Sequence, residues 1–242
     1  MLYNFLCIFL VFMIYSILGF IVEIISCTIT TKKPVYNRGF LIGPYLPIYG
    51  TGAFLITLTL SRYSSDPLAL FIMSAVYCSV LEYFTSLIME KIFHLRWWDY
   101  TQNKFNINGR VCLKNAVLFG LAGLVIVEIM DPIILDFVYE IPNLYLYIIS
   151  GFLFIIFLID LIITLRIMVG VKVNVGKLDN RDATEQIKLE VKNYLSKHNY
   201  LTIRLIESFP NMEKFNGVEF RKFSLALDNV KKEVNKLKKN KE

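Results

Sequence analysis

Histidine and cysteine are scarce in this chain, and neither forms a catalytic or metal-binding motif. The 242 residues include two histidines and four cysteines, with no Cys-x-x-Cys pair. We therefore expect neither a disulfide framework nor a zinc site. Phosphate-binding, serine-hydrolase and zinc-peptidase motifs are also missing from the sequence. Any ATP-driven activity would need a separate ATPase subunit, and no cofactor is evident.

Charge is sparse over residues 1–170, which hold ten basic and ten acidic residues. The whole chain is 55% apolar with a mean hydropathy of +0.52, more than a soluble domain can bury. A helix needs about 20 apolar residues to cross a hydrocarbon core about 30 Å thick. The apolar runs predict an all-α membrane bundle with five spans, at 2–29, 40–60, 68–92, 116–130 and 144–168. The first run has no basic residue before it and no cleavage site, so we expect a retained helix.

Basic residues fall in alternate loops between these spans. Three lie in the first loop and five between the third and fourth spans. The second loop has Arg62 as its one basic residue, and the last loop carries only the acidic Asp131, Asp136 and Glu140. Because basic loops stay on the cytoplasmic side, we expect the N-terminus outside and the C-terminus inside. The expected location is a cell membrane, which the chain crosses several times, with the C-terminal tail in the cytoplasm.

The predicted transmembrane domain covers 1–170, and residues 171–242 form a predicted cytoplasmic tail. The tail holds sixteen basic and ten acidic residues, which accounts for the net charge of +6. A capping box at Asp182–Glu185 and an apolar seam from Phe220 to Leu237 predict a helical hairpin. The seam could instead pair with a second copy of the chain. Membrane lipids are the expected partner of the basic charge, and nucleic acid is not.

The predicted second span is interrupted by helix-breaking residues. Its motif consists of Gly43, Pro44, Pro47, Tyr49, Gly50 and Gly52. Broken helices at membrane depth are tolerated where they are buried in protein or line a cavity, and they often mark transporter binding sites. The alternative is a bent junction in which Pro47 occupies the first turn of a helix. Both interpretations stay open at this point.

The connector between the third and fourth predicted spans mixes aromatic and polar residues. Trp97, Trp98 and Tyr100 suit the headgroup layer of a membrane. Asp99, Asn106, Gly109 and Arg110 are interleaved with them. We therefore predict either an ordered re-entrant or interfacial loop or a plain aromatic belt.

Three carboxylates lie inside the predicted spans, where an ionisable group is costly without a partner. Glu23, Glu82 and Asp160 each lie six to ten residues from the predicted cytoplasmic end of a helix, and they are thus predicted at a similar level. The predicted polar cluster adds Asn37, Arg38, Asp99, Asn106 and Arg110. It forms either a substrate path or a set of ion pairs that hold the helices in register.

Several of these motifs are similar to those of the ABC-transporter type IV (CmpB-like) permease family. The resemblance rests on Glu23, Asn37-Arg38-Gly39-Phe40, Gly43-Pro44, Pro47-Ile48-Tyr49-Gly50, Leu81-Glu82-Tyr83, Arg96-Trp97-Trp98-Asp99-Tyr100 and Gly109-Arg110-Val111-Cys112. These motifs cover residues 20 to about 125 in order. The resemblance implies a transport subunit of the bacterial cytoplasmic membrane and leaves the tail outside the matched region.

The leading functional hypothesis is a transporter or permease-like subunit whose substrate path runs through the polar cluster. The first alternative is a membrane-embedded enzyme acting on a lipid headgroup, with arginines holding a phosphate and a divalent cation needed only in this case. The second alternative is a non-catalytic scaffold that recruits partners through its tail.

Overall fold

The computed structural model describes residues 1–32, 39–93 and 97–178. Asn37, Arg38 and Arg96 therefore lie outside the described residues, as does the predicted tail hairpin. The tail boundary at 170 and the hairpin stay predictions.

Six α-helices account for most of the described chain. They are α1 (Leu2–Thr31), α2 (Pro47–Leu60), α3 (Pro67–Phe93), α4 (Leu113–Val125), α5 (Asp131–Glu140) and α6 (Asn143–Leu178). A 3₁₀ turn at Ser61–Tyr63 follows α2, and a π-helical turn at Ile126–Met130 joins α4 to α5. Two short antiparallel strands, β1 (Asn106–Ile107) and β2 (Val111–Cys112), form a hairpin between α3 and α4.

Within the part of the chain that the structure describes, four helical segments are long and apolar enough to cross a membrane. They are Leu2–Ile29, Pro67–Phe93, Leu113–Glu140 and Asn143–Met168. Four of the five predicted spans are thus confirmed as helices of sufficient length. The helix in the remaining predicted span, α2, has 14 residues and is about 21 Å long, short of a bilayer core of about 30 Å. A fifth crossing and the orientation of the chain stay predictions.

The prediction that the fourth span ends at residue 130, with acidic residues in the following loop, is wrong. The helical segment continues through the π turn and α5 as far as Glu140. Asp131 is only 4% exposed, because its carboxylate accepts hydrogen bonds from Tyr15 and Thr57. Pro132 does not break the helix, since the first turn of α5 tolerates its missing N–H.

The chain divides into two compact units. The first consists of Met1–Ile88 and Asp99–Thr164, and every contact discussed below lies within it. The second unit includes the end of α3 from Met89 and the end of α6 from Leu165.

Helix α1 lies at the core of the first unit. Its buried side chains pack with residues of α2, α5 and α6 in one cluster, which includes Leu10, Val11, Ala53, Val138 and Leu146. Glycines allow α1 and α2 to approach closely: a Cβ on Gly19 would meet Tyr49, and one on Gly50 would meet the carbonyl oxygen of Phe12 at 2.5 Å. This close packing fixes the positions of the polar side chains on the two helices.

The interrupted segment before α2 lies against the middle of α1. Leu46 donates a backbone hydrogen bond of 2.9 Å to the carbonyl oxygen of Ser16, and Leu41 and Tyr45 are buried with Phe9 and Met13. Pro47 then begins α2 in the first turn. The structure places Pro47 in the first turn of α2, as the second interpretation expects, and it also packs non-helical backbone against α1. A transporter binding site at this motif stays a prediction.

Candidate functional site

Glu23, on the last third of α1, is paired with Tyr49 on α2. The Tyr49 hydroxyl donates a hydrogen bond of 2.7 Å to Glu23 Oε2, and the Cys27 thiol donates one of 3.2 Å to Oε1. Gly19 allows this pair to form, because its missing side chain leaves room for the Tyr49 ring beside α1. The glycine of one helix thus positions the phenol of the other.

Glu82, on α3, is buried with 6% of its surface exposed. Its Oε1 accepts a hydrogen bond of 3.0 Å from the Tyr100 hydroxyl, and the Asn115 amide approaches the same carboxylate. The second oxygen, Oε2, is buried and has no hydrogen-bond partner among the described residues. One half of this carboxylate is therefore open to a further interaction.

The two glutamates lie close enough to interact electrostatically. Glu23 repels the charge on Glu82, and both carboxylates act on the phenols of Tyr49 and Tyr100. We refer to these four residues as the glutamate site. Two negative charges in a poorly hydrated environment need a compensating positive charge, which a proton or a bound cation can supply.

The folded loop between α3 and α4 positions Tyr100. The Tyr100 backbone N–H donates to the carbonyl of Gly109 at 2.8 Å. Asn108 and Gly109 both have positive φ angles, 53° and 67°, and Arg110 N donates to Ile107 O across them. Because Ile107 pairs with Val111, three residues form the turn of the hairpin. Burial, and then the nearby charge of Glu82, raise the pKa of Tyr100, so its hydroxyl stays a donor.

The other predicted site residues of this loop serve the loop itself. Asp99 accepts two hydrogen bonds from Thr101, and Asn106 bonds Gly109 N through Oδ1 and Asn103 O through Nδ2. Residues 99–112 of the connector therefore form an ordered loop, in which Asp99 and Asn106 bond to other residues of the loop. The guanidinium of Arg110, which is buried, lies 5.5 Å from the centre of the Tyr83 ring.

Asp160 belongs to a different group of residues, which we call the Asp160 anchor. Its carboxylate accepts hydrogen bonds from the backbone N–H groups of Ile42 at 2.9 Å and Gly43 at 2.7 Å. The Tyr45 hydroxyl donates at 2.5 Å and the Thr164 hydroxyl at 3.1 Å. The structure thus brings two of the three predicted deep carboxylates together and places the third at the interrupted segment.

A tyrosine hydroxyl donates a hydrogen bond to each of these three carboxylates and also to Asp131. The pairs are Tyr15–Asp131, Tyr45–Asp160, Tyr49–Glu23 and Tyr100–Glu82. Sequence analysis missed all four pairings; for Glu23, Glu82 and Asp160 its ion-pair alternative offered Arg38 and Arg110 as the nearest cations, and Asp131 was expected in a loop. The signal was present in the sequence, since Tyr45 and Tyr49 flank the helix start and Tyr100 stands in the polar connector.

The family of the chain follows from a sequence comparison. A family model described as "Putative ABC-transporter type IV" matches residues 10–165. The chain belongs to this family. Its matched region contains the glutamate site and the Asp160 anchor, and the four long apolar helices fit a membrane protein of this family. No curated protein and no solved structure matches the chain.

No group of three or more histidine, cysteine, aspartate or glutamate side chains within 1–32, 39–93 and 97–178 is arranged to hold a metal ion. Cys78 lies near Glu82, as Cys27 does near Glu23, but the two thiols and two carboxylates do not form such a group. The chemistry that this site offers is that of carboxylates paired with neutral hydroxyl groups.

Proposed function

We propose that the protein is a membrane transport subunit whose path for a positively charged solute or coupling ion includes the glutamate site. The supporting observation is that Glu23 and Glu82, from two different helices, are near enough to interact electrostatically, while Glu82 Oε2 lacks a hydrogen-bond partner among the described residues. A positive charge passing between them would satisfy both carboxylates. Among the described residues, the donors near the two carboxylates are hydroxyl groups, a thiol and the Asn115 amide. Because all of these groups are neutral, they do not cancel the attraction for a cation.

The name of the family supports a role in transport, and the missing phosphate-binding loop means that ATP hydrolysis would require a second subunit. We further propose that the glutamate site lies in the cytoplasmic half of a bacterial inner membrane. This placement rests on the distribution of basic residues between the spans. The basic tail would then face the cytoplasm and contact anionic lipids.

Substitution of Glu82 tests the proposal in cells. Glu82→Gln keeps the size of the side chain and removes the charge, so we expect at least a tenfold loss of the activity that separates null from wild-type cells. Glu128→Gln is the matched control, since it removes a carboxylate that is exposed on the π turn. Profiling of lipids and metabolites in null, wild-type and variant cells, at equal protein amounts, measures the difference.

The outcomes separate the candidate functions. A solute that changes its distribution across the membrane without chemical change supports transport. A lipid species that accumulates or disappears would support the headgroup enzyme and contradict transport. Null cells that carry Glu82→Gln could show the full wild-type profile, while null cells that carry a deletion of residues 179–242 keep the null profile. In that case the glutamate site is not the functional site, and the result supports the scaffold interpretation.

A further inference from the structure

A second polar site lies where α5 packs against α1 and α2, away from the glutamate site. Asp131 Oδ1 accepts hydrogen bonds from the Tyr15 hydroxyl at 2.6 Å and from the Thr57 hydroxyl at 2.8 Å. These residues come from α1, α2 and α5, and Asp131 is 4% exposed. The other oxygen, Oδ2, is buried and has no hydrogen-bond partner among the described residues.

The two sites are separated along the same pair of helices. Tyr15 lies eight residues before Glu23 on α1, and Thr57 lies eight residues after Tyr49 on α2. Because eight residues of α-helix rise about 12 Å, the second site lies about 12 Å from the first along the antiparallel pair. Gly19, Gly50 and Ala53 lie between them, where the two helices pack closely. The Asp131 carboxylate is therefore not part of the glutamate site.

The backbone next to Asp131 is irregular. The π-helical turn at Ile126–Met130 ends directly before it, and Asp131 N donates to Ile126 O, five residues back. Such turns occur often at functional sites, because they widen the helix and redirect its side chains. Here the widened turn directs an acidic side chain into the bundle and not toward the lipid.

We propose that Tyr15, Thr57 and Asp131 bind a small monovalent cation, with Na⁺ as the representative ion. All the available ligand atoms are oxygens, which hard cations prefer. The single carboxylate balances one positive charge, whereas a divalent ion would leave an excess charge buried. The hydroxyls of Tyr15 and Thr57 donate to Oδ1 and keep lone pairs for the ion, and Oδ2 offers a buried ligand that nothing else in the described chain uses.

A bound proton is the competing occupant, and geometry disfavours it. A proton on Oδ2 would need an acceptor, and no hydrogen-bond partner of this atom exists among the described residues. A buried hydroxyl without an acceptor keeps its full desolvation cost. A cation needs no such acceptor, because it interacts with several oxygens at once.

Thermal unfolding of the full chain in nanodiscs of zwitterionic lipid tests the proposal. We expect NaCl to raise the Tm of the wild type above its value in choline chloride at equal ionic strength, since a ligand that binds only the folded state stabilises it. Asp131→Asn abolishes the shift. Asp136→Asn is the matched control, because Asp136 is an exposed carboxylate on the same helix, and it keeps the shift.

Thr57→Val decides the case if Asp131→Asn does not fold. This variant keeps the shape of the side chain and removes one oxygen, so the Na⁺ concentration at half-maximal shift rises by roughly tenfold or more. An unchanged midpoint in Thr57→Val, a shift retained in Asp131→Asn, or no Na⁺-specific shift in the wild type overturns the proposal. Labelling of Asp131 by a hydrophobic carbodiimide that Na⁺ does not reduce would identify a proton as the occupant and also overturn it.

Discussion

The Asp160 anchor and the glutamate site both bury carboxylates among the apolar helices of the first unit, but they satisfy them differently. Asp160 accepts four hydrogen bonds, two of them from the backbone N–H groups of Ile42 and Gly43. Glu82 accepts one from Tyr100 and has an open oxygen, and it lies near a second carboxylate. A carboxylate with all its acceptor sites used fixes the backbone, whereas a partly satisfied pair retains capacity for a ligand.

This difference assigns a structural role to Asp160. Residues 39–46 are not helical, and they pack against α1 with Leu41 and Tyr45 buried. Non-helical backbone among membrane helices needs hydrogen-bond partners within the protein. Hydrogen bonds to a charged acceptor are stronger than those between neutral groups. The Asp160 carboxylate therefore stabilises the interrupted segment and, with it, the start of α2 that carries Tyr49.

Removal of the Asp160 charge should have the largest effect on stability. Asp160→Asn replaces one acceptor oxygen by a donor group that faces the N–H of Ile42 or Gly43. We expect a loss of about 3 kcal/mol or more, because strong bonds are lost and a buried donor is left unsatisfied. Thermal unfolding in detergent measures this loss.

Glu82→Gln is the comparison variant and should lower the Tm far less. Equal destabilisation by the two substitutions would remove the distinction between anchor and site. Activity per folded molecule should change in the opposite order, with Glu82→Gln the more severe.

Disruption of the close packing between α1 and α2 should have the next largest effect on stability. A Cβ on Gly50 would lie 2.5 Å from Phe12 O and 2.2 Å from Ser16 Oγ, so Gly50→Ala forces the helices apart. We expect a loss of about 2 kcal/mol from overpacking. Gly151→Ala is the matched control, since its Cβ would meet nothing within 4 Å and alanine favours a helix.

The same variant sharpens the comparison, because the displaced α2 carries Tyr49 but not Tyr100. Gly50→Ala should weaken the Tyr49–Glu23 contact and leave the Tyr100–Glu82 contact in place. A Tm of Gly50→Ala equal to that of Gly151→Ala would contradict the close packing.

The long helices could be predicted from the sequence because length and hydropathy are local properties. Four of the predicted spans are confirmed on that basis. The predicted end of the fourth span was wrong because a charged residue such as Asp131 interrupts the apolar run there. Its burial depends on hydroxyl groups of Tyr15 and Thr57, which are 116 and 74 residues away in the chain and cannot be identified by a local pattern.

The candidate site could be predicted only in part. Intramembrane charge singled out Glu23, Glu82 and Asp160, and counting residues placed them at similar depth. The rotation of each helix decides which of them meet, and one sequence does not encode that in a readable way. The tyrosine donors were missed because a phenol reads as apolar within a span and as a membrane-interface residue in a connector.

Removal of one hydroxyl from the glutamate site should have the smallest effect on stability and tests the comparison most directly. Tyr100→Phe deletes the donor to Glu82 Oε1 and keeps the ring. We expect a loss of about 1 kcal/mol, the usual net contribution of one hydrogen bond. Because the Glu82 carboxylate then loses a hydrogen bond, the activity of the Tyr100→Phe protein should fall severalfold while the amount of folded protein is nearly unchanged.

Tyr45→Phe, which deletes a donor to Asp160, is the matched variant. It should lower the Tm by a similar amount and leave the activity of the folded protein intact, because Asp160 keeps three other donors. If both variants lose activity equally, Asp160 takes part in function and the two regions do not differ in role.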